Sequence, residues 1–354
     1  DLNIAPVITR HVGTRREPPA YPSKHLVHVD ARHIVSLQNQ EVERLRTGYG
    51  AVVLLNAPEP VDWRTTDLFP LDADFCVSAR RSGAFVDGEK PIWKNVPVNV
   101  ALGVLDSIGI VNNHFHPRTV LLDAEKWGSM ERDKAEYSTP RGFAQWMIDL
   151  YYSFLNCGFR LPVSAGSASG IMPSWPGYER VYVHLSREFS YEQWFRDLRA
   201  GRSIATNGPL LEVSVNGKPP GAAFDWIRGA RYSLNFTARS QTRLEPVEVI
   251  FNGRVMRRFD EPRQSVELEV PEPGWLAVRC FEPAQDTVRY AHSSPFYFTR
   301  DGRLPVIRAD AQRWAEYVAR LSSTLDPTMF PSRENFDYVA SKLRQAERVY
   351  RDLK

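Results

Sequence analysis

Only three cysteines occur in the 354 residues, and they stand far apart, at Cys76, Cys157 and Cys280. No CxxC spacing joins them, which excludes a zinc knuckle and a disulfide framework. Each reads as a small apolar packing residue. Long hydrophobic runs are missing too: none approaches the ~20 residues of a bilayer-spanning helix, so no transmembrane segment is expected. An excess of one charge is absent, with 45 basic residues against 42 acidic ones and a net charge of +3. Basic residues come no closer than pairs such as Arg80-Arg81 and Arg257-Arg258. No field of that kind argues for nucleic acid or an anionic membrane surface. No Met, signal peptide or leader precedes Asp1–Ile8, which reads as a strand already under way. The expectation is therefore that upstream sequence is missing, and the compartment stays open between exported and cytoplasmic.

Two catalytic arrangements are also lacking. Ser167 lies in Gly-Ser-Ala-Ser-Gly, which does not have the GxSxG spacing of a nucleophile elbow. Gly166 to Gly170 carries no Lys, which excludes a phosphate loop.

What is present is a globular composition, 43% hydrophobic and 12% aromatic. Up to about Thr206, short apolar runs alternate with helical patterns: Ala51–Asn56, Gly83–Asp87, Ser107–Asn113, Leu161–Ser164 and Val181–Val183. Strands apolar on both faces and separated by helices predict a parallel sheet or a β/α barrel. Thr139 followed by Pro140 predicts a helix start, with a stop at Asn156-Cys157-Gly158. Ser190-Tyr191-Glu192-Gln193 reads as a capping box.

After Asn207-Gly208-Pro209 the pattern becomes alternating. Tyr232, Leu234, Phe236 and Ala238 predict a strand, and Asn252-Gly253 predicts a two-residue hairpin turn. Strands at this spacing predict a small β-sandwich. From about Asp310 two helical stripes, Trp314–Leu321 and Phe336–Val349, are expected to pack back onto the body. The organisation that follows is 1–206 as a barrel, 207–300 as a sandwich and 301–354 as a helical tail.

In a β/α barrel the active site is built at the C-terminal ends of the strands. The first strand ends at Arg10-His11, and the run after Gly83 ends in Asp87-Gly88-Glu89-Lys90 with Trp93 beyond. The 107–113 run ends in Asn113-His114-Phe115-His116, where two imidazoles at i and i+2 can share one ion and Asn113 can add an oxygen. The competing reading of that pair is core packing. Glu89 has two readings as well, ligand or general base against a loop carboxylate paired with Lys90. Glu41 and Asp87 read more simply as salt-bridged carboxylates, and His184 and His292 as structural. The 161–164 run ends in Ser167-Ala168-Ser169, where an Asp would be expected of a metal-binding turn.

Arg202–Leu210, with its Thr206-Asn207-Gly208-Pro209, resembles the stretch that closes the barrel in the CehA/McbA-type metallohydrolases, relatives of the PHP domain. Gly274–Arg279 and Ala291-His292-Ser293-Ser294-Pro295 are similar to that family's appended domain. The resemblance covers most of the chain to about residue 300. It implies an α/β fold, a distorted PHP-like β/α barrel followed by a small β-sandwich and a C-terminal helical tail. It further implies a divalent ion (zinc, manganese or iron) and hydrolysis of an ester, amide or phosphate bond. A bound ion would bring its water to a pKa of roughly 7. The ligand set departs from the family pattern, because Ala168 stands where the family has a metal-binding Asp.

The reading is thus a divergent metal-dependent hydrolase acting on a small-molecule substrate. Glu89 and His114 are the expected catalytic residues, and His114, His116, Glu89 and Asn113 the expected metal ligands. Trp93, Lys90, Ser167 and Ser169 are the expected substrate contacts. The alternative is a non-catalytic protein that keeps the cleft for a ligand such as a carbohydrate, with Trp93, Trp127 and Trp175 as stacking surfaces.

Overall fold

The computed structural model describes residues 2–4, 6–10, 20–44, 49–62, 66–169 and 174–353. His11 and Gly170, both named above, lie outside the described residues. The chain divides into two compact units. Unit 1 comprises Asp1–Asp106, Asp123–Glu131 and Arg308–Leu353; unit 2 comprises Ser107–Leu122 and Arg132–Ile307.

Unit 1 begins with β1 (Leu2–Ile4), β2 (Val7–Arg10), β3 (Leu26–His28), β4 (Ile34–Ser36), β5 (Gln40–Arg44) and β6 (Gly50–Leu55). Then come α1 (Asp72–Arg81), β7 (Phe85–Asp87) and α2 (Val96–Ala101). One sheet has the order β1-β4-β3 and another β2-β5-β6-β7. In the second, β2 runs parallel to β5, but β5-β6 and β6-β7 are antiparallel. Helix α1 starts where the Asp74 carboxylate accepts the Leu71 N–H at 2.9 Å, so one of the donors the first turn leaves unpaired is satisfied.

Unit 2 opens with β8 (Ile108–Asn112), α3 (Pro140–Asn156), β9 (Val163–Gly166), β10 (Arg180–Val183), α4 (Tyr191–Arg199) and β11 (Ser203–Thr206). It continues through β12 (Leu210–Val215), β13 (Ala223–Asp225), β14 (Arg231–Arg239), β15 (Val247–Phe251), β16 (Arg254–Phe259) and β17 (Arg263–Glu269). The last strands are β18 (Gly274–Phe281), β19 (Tyr290–Ser293) and β20 (Phe296–Thr299). Strands β8 and β9 form a two-stranded parallel pair. An eight-stranded sheet runs β10-β11-β19-β18-β15-β16, with β20 joining β18 and β13 joining β20. A three-stranded sheet, β12-β14-β17, contributes Leu211, Leu234, Phe236 and Leu268 to a core that also holds Val249, Val278, Ala291 and Phe296 of the larger sheet.

The expected PHP-like β/α barrel is not what the chain forms. Among the described residues only four strand pairings are parallel, β1-β4, β2-β5, β8-β9 and β13-β20, and no sheet closes. The fold is a set of small mixed and antiparallel sheets with helices. The physical reason is that Gly50–Leu55, Phe85–Asp87 and Ile108–Asn112 are indeed buried along most of their length. A strand covered on both faces has the same apolar run whether its neighbour is parallel or antiparallel. Strand direction depends on the connections, and β5-β6 and β6-β7 are joined antiparallel.

Local signals act as their chemistry demands. The Thr139 hydroxyl accepts the Gly142 N–H at 3.0 Å with Pro140 first in α3. The Ser190 hydroxyl accepts the Gln193 N–H at 3.1 Å at the start of α4, but the Gln193 side chain does not complete the expected capping box: it donates to Ser186 and Asp197 instead. Asn252 and Gly253 both have positive φ, 47° and 82°, as a type I′ hairpin turn requires between β15 and β16. Helices α5 (Arg308–Ser323) and α6 (Arg333–Asp352) pack on each other within unit 1. The Tyr350 hydroxyl donates to the Pro97 carbonyl at 2.7 Å and anchors α6 to α2.

The segments that carry the family resemblance turn out to be structural pins. Thr206 Oγ1 accepts the Gly208 N–H at 3.0 Å and donates to the Pro209 carbonyl at 2.6 Å, closing the turn after β11. The Asn207 amide bridges Val288 and Tyr290. Ser294 Oγ accepts the Val163 N–H at 2.9 Å, tying β9 to the large sheet. His292 is fully buried, with Nδ1 2.7 Å from the Ser293 carbonyl and Nε2 2.7 Å from the Tyr152 hydroxyl. The proton on Nδ1 is donated and the lone pair on Nε2 accepts, so the ring is neutral.

Burial holds the His292 pKa at about 3, below the ordinary 6.5, and Arg279 pushes the same way. The unfolded chain therefore takes up this proton first. The stability contribution is complete above pH 6.5 and is lost as pH falls toward 3, at about 1.4 kcal/mol per unit. We expect urea unfolding of the wild-type chain to weaken over that window, and His292→Gln, which retains an acceptor for Tyr152, to flatten the slope.

Candidate functional site

Among the described residues, the site residues expected from the sequence gather at two places, one in each unit. In unit 1 the chain leaves β7 at Asp87 and turns sharply. Asp87 Oδ1 accepts the Glu89 N–H at 2.6 Å, and Glu89 has a φ of 53°, a left-handed state that a residue with a Cβ adopts only under constraint. The turn folds the Glu89 carboxylate back over its neighbours. Its Oε1 pairs with Lys90 Nζ, and its Oε2 accepts the Trp93 indole N–H at 2.5 Å. Lys90 Nζ also lies 4.9 Å from the centre of the Trp93 ring. Three of the residues expected from the sequence thus meet in one cluster.

Lys90 is 3% exposed. Desolvation is the largest influence on its amine and lowers the pKa to about 8, against the opposing pull of Glu41, Glu43 and Asp87. Glu41 and Glu43 come from β5, two residues apart on the strand, and Asp87 from β7. The part played by Glu43 was missed in the sequence, although the i, i+2 spacing of Gln40-Glu41-Val42-Glu43 is the available signal.

In unit 2 the parallel register pairs Ile108 with Val163 and Asn112 with Gly166. Asn113–His116 and Ser167–Ser169 therefore leave adjacent strand ends. His114 Nδ1 lies 2.7 Å from the Leu121 carbonyl, and the ring stacks on Phe143 with centroids 5.4 Å apart. A proton on Nδ1 turns the lone pair of Nε2 outward from that contact, the arrangement common in metal-binding histidines. His116 is set the other way: its Nδ1 accepts the Arg118 N–H at 3.3 Å, which leaves the proton on Nε2 of the neutral ring. Buried His116 Nε2 and Asn113 Oδ1 have no hydrogen-bond partner among the described residues. Ser167 is buried, Ser169 is exposed, and Ala168 has a φ of 45°. That backbone state suits Gly, Asn or Asp better than Ala.

Sequence reading missed Glu179 altogether. It is buried, and desolvation raises its carboxyl pKa to about 8. Ser174 Oγ lies 3.5 Å from Oε1, while Oε2 has no partner among the described residues. Burial is the main cause that raises the pKa of Tyr290, with Glu179 among the lesser ones, and the Tyr290 hydroxyl donates to the Ile110 carbonyl of β8 at 2.5 Å.

Within unit 1, Glu89 accepts a hydrogen bond at each carboxylate oxygen, from Lys90 and from Trp93. Among the described residues no group of three His, Cys, Asp or Glu is placed to hold an ion. No helix among the described residues is long and apolar enough to cross a membrane. No family model, curated protein or solved structure matches the chain.

Trp93 sits hard against Gly50, where an added Cβ would come within 2.5 Å of the indole Cγ, and Gly50 has a φ of 119°. Gly50→Ala is expected to cost about 2 kcal/mol or more, from overpacking and backbone strain together. Displacing the indole would also break its bond to Glu89. Urea unfolding and the emission of Trp93, isolated by comparison with Trp93→Phe, check this.

Proposed function

We propose that the chain is a hydrolase of a small polar substrate carrying an ester, amide or phosphate bond, with Lys90 as its proton donor. The observation that supports this is the Lys90 amine itself: desolvated to a pKa of about 8, ringed by carboxylates and oriented by Glu89. An ammonium group with that pKa is protonated at pH 7 yet gives up its proton far more readily than a solvated lysine. It suits the protonation of a leaving oxygen or nitrogen as the bond breaks. Glu89 is the positioning residue, since its ionised carboxylate fixes Lys90 Nζ on one side and is itself fixed by Trp93 on the other. Three further carboxylates, Glu41, Glu43 and Asp87, keep the ammonium form populated against the cost of burial.

For a general acid of this pKa, kcat/KM on a panel of chromogenic esters, amides and phosphate esters should be flat below pH 8. Above about 8 it should fall tenfold per unit as the amine loses its proton. Lys90→Arg keeps the charge among the carboxylates but holds its proton. It should lose ~100-fold or more in kcat while circular dichroism stays unchanged. Wild-type turnover in that variant would rule the assignment out.

A second reading is favoured by the unpartnered polar atoms of unit 2. Asn113 Oδ1, His116 Nε2 and Glu179 Oε2 offer acceptors and a donor that have no partner among the described residues, as a site for a hydroxyl-rich ligand such as a carbohydrate would. Binding of a glycan from an array, unaffected by chelators and weakened at least ~10-fold by Glu179→Ala, is the outcome expected of that reading. Undiminished binding by the variant would remove it.

A further inference from the structure

Unit 1 contains a small cavity with a volume of about 10 Å³, lined among others by Arg44, Asp72, Asn95 and Asn99. Its walls come from the end of β5, the first turn of α1, the start of α2, and Leu321 and Leu343 of the two C-terminal helices. We infer that this cavity is a binding site for a single water molecule, held by Asp72, Asn95 and Asn99 as a permanent part of the fold.

The size argues first. A void of this volume admits about one probe sphere, enough for one water and too little for any organic ligand. The chemistry argues second. Asp72 Oδ1, Asn95 Oδ1 and Asn99 Nδ2 are buried, and none has a hydrogen-bond partner among the described residues. Two are acceptors and one is a donor. A water molecule supplies the complement, two O–H donors and one lone pair, and three hydrogen bonds is the usual number for a buried water. The three residues are at most 4% exposed, so bulk solvent does not satisfy these atoms. Left dry, each would carry the full penalty of a buried polar group whose hydrogen bond is unmade.

The orientation of the groups is fixed by their other bonds. Asn95 Nδ2 donates to Asp72 Oδ2, so turning the amide over would set two oxygens against each other. Asn95 Oδ1 is thereby directed away from that contact. Arg44 Nε lies 3.6 Å from Asp72 Oδ1, an ion pair too long for a direct hydrogen bond, which leaves that oxygen able to accept from a water. A metal cation or ammonium fits less well, because Asn99 Nδ2 would point N–H groups at it and the Arg44 guanidinium would repel it.

The test is a high-resolution crystal structure of the full chain. One water peak at about 2.7–3.2 Å from Asp72 Oδ1, Asn95 Oδ1 and Asn99 Nδ2 is expected. In solution, the Asn99 side-chain amide protons should show a cross-peak to a long-lived water, lost in Asn99→Leu. An empty cavity, a cation in the density, or side chains rotated to pair with one another would overturn the inference. The wild-type measurement stands by itself should Asn99→Leu fail to fold.

Discussion

Helix α3 reaches the large sheet of unit 2 through a buried contact in which apolar packing and hydrogen bonding cannot be separated. Tyr152 packs against Trp275 and His292 and gives its hydroxyl proton to His292. Trp275 donates its indole N–H to Asn156 at 2.9 Å, and Arg279 donates to Gln145 at 3.1 Å while pairing with Glu248. Every one of these groups is far from its partner in sequence. Apolar burial alone would let a helix slide or roll on a sheet. Buried polar groups that find partners in only one arrangement remove that freedom, since any other placement leaves them unsatisfied in a medium of low dielectric. The histidine stays neutral because charging it there would require hydration that the contact excludes.

The same desolvation shapes the candidate sites. Lys90 and Glu179 begin with pKa values far apart, and burial moves one down and the other up until both stand at about 8. In each case the charged form is the one penalised. The carboxylates around Lys90 oppose that penalty, and the Ser174 hydroxyl does so only weakly for Glu179. Backbone constraint is found at the ends of two strands: Glu89 and Ala168 have positive φ just after β7 and β9. Strain of this kind persists only where surrounding contacts determine it, and at Glu89 those contacts are Asp87, Lys90 and Trp93.

Much of the local structure was legible. Thr139, Ser190 and Asn252-Gly253 are each a short-range instruction whose hydrogen bond or dihedral is complete within four residues, and the structure uses all of them. The alternation of Tyr232, Leu234, Phe236 and Ala238 marks their side chains as the buried face of β14. The closed barrel was misread, because burial on both faces gives β6 and β8 their apolar runs without stating which way the neighbouring strand points. Of the site residues, Glu89, Lys90 and Trp93 lie within five positions, so one turn can gather them. His114 and His116 lie two apart, yet their hydrogen bonds to Leu121 and Arg118 set their ring protons in opposite ways. Spacing could not show that difference.

By itself the sequence determined the elements whose causes are local: helix caps, the hairpin turn and the buried face of alternating strands. It also marked the three cysteines as small packing residues, and all three are buried. Only the tertiary structure decided which strands are neighbours and in which direction. It also turned Asn207, His292 and Ser294 into pins between distant elements, and it buried Lys90 and Glu179 deeply enough to change their acidity. A pKa depends on the solvent that packing removes, and packing depends on contacts between residues that are remote along the chain.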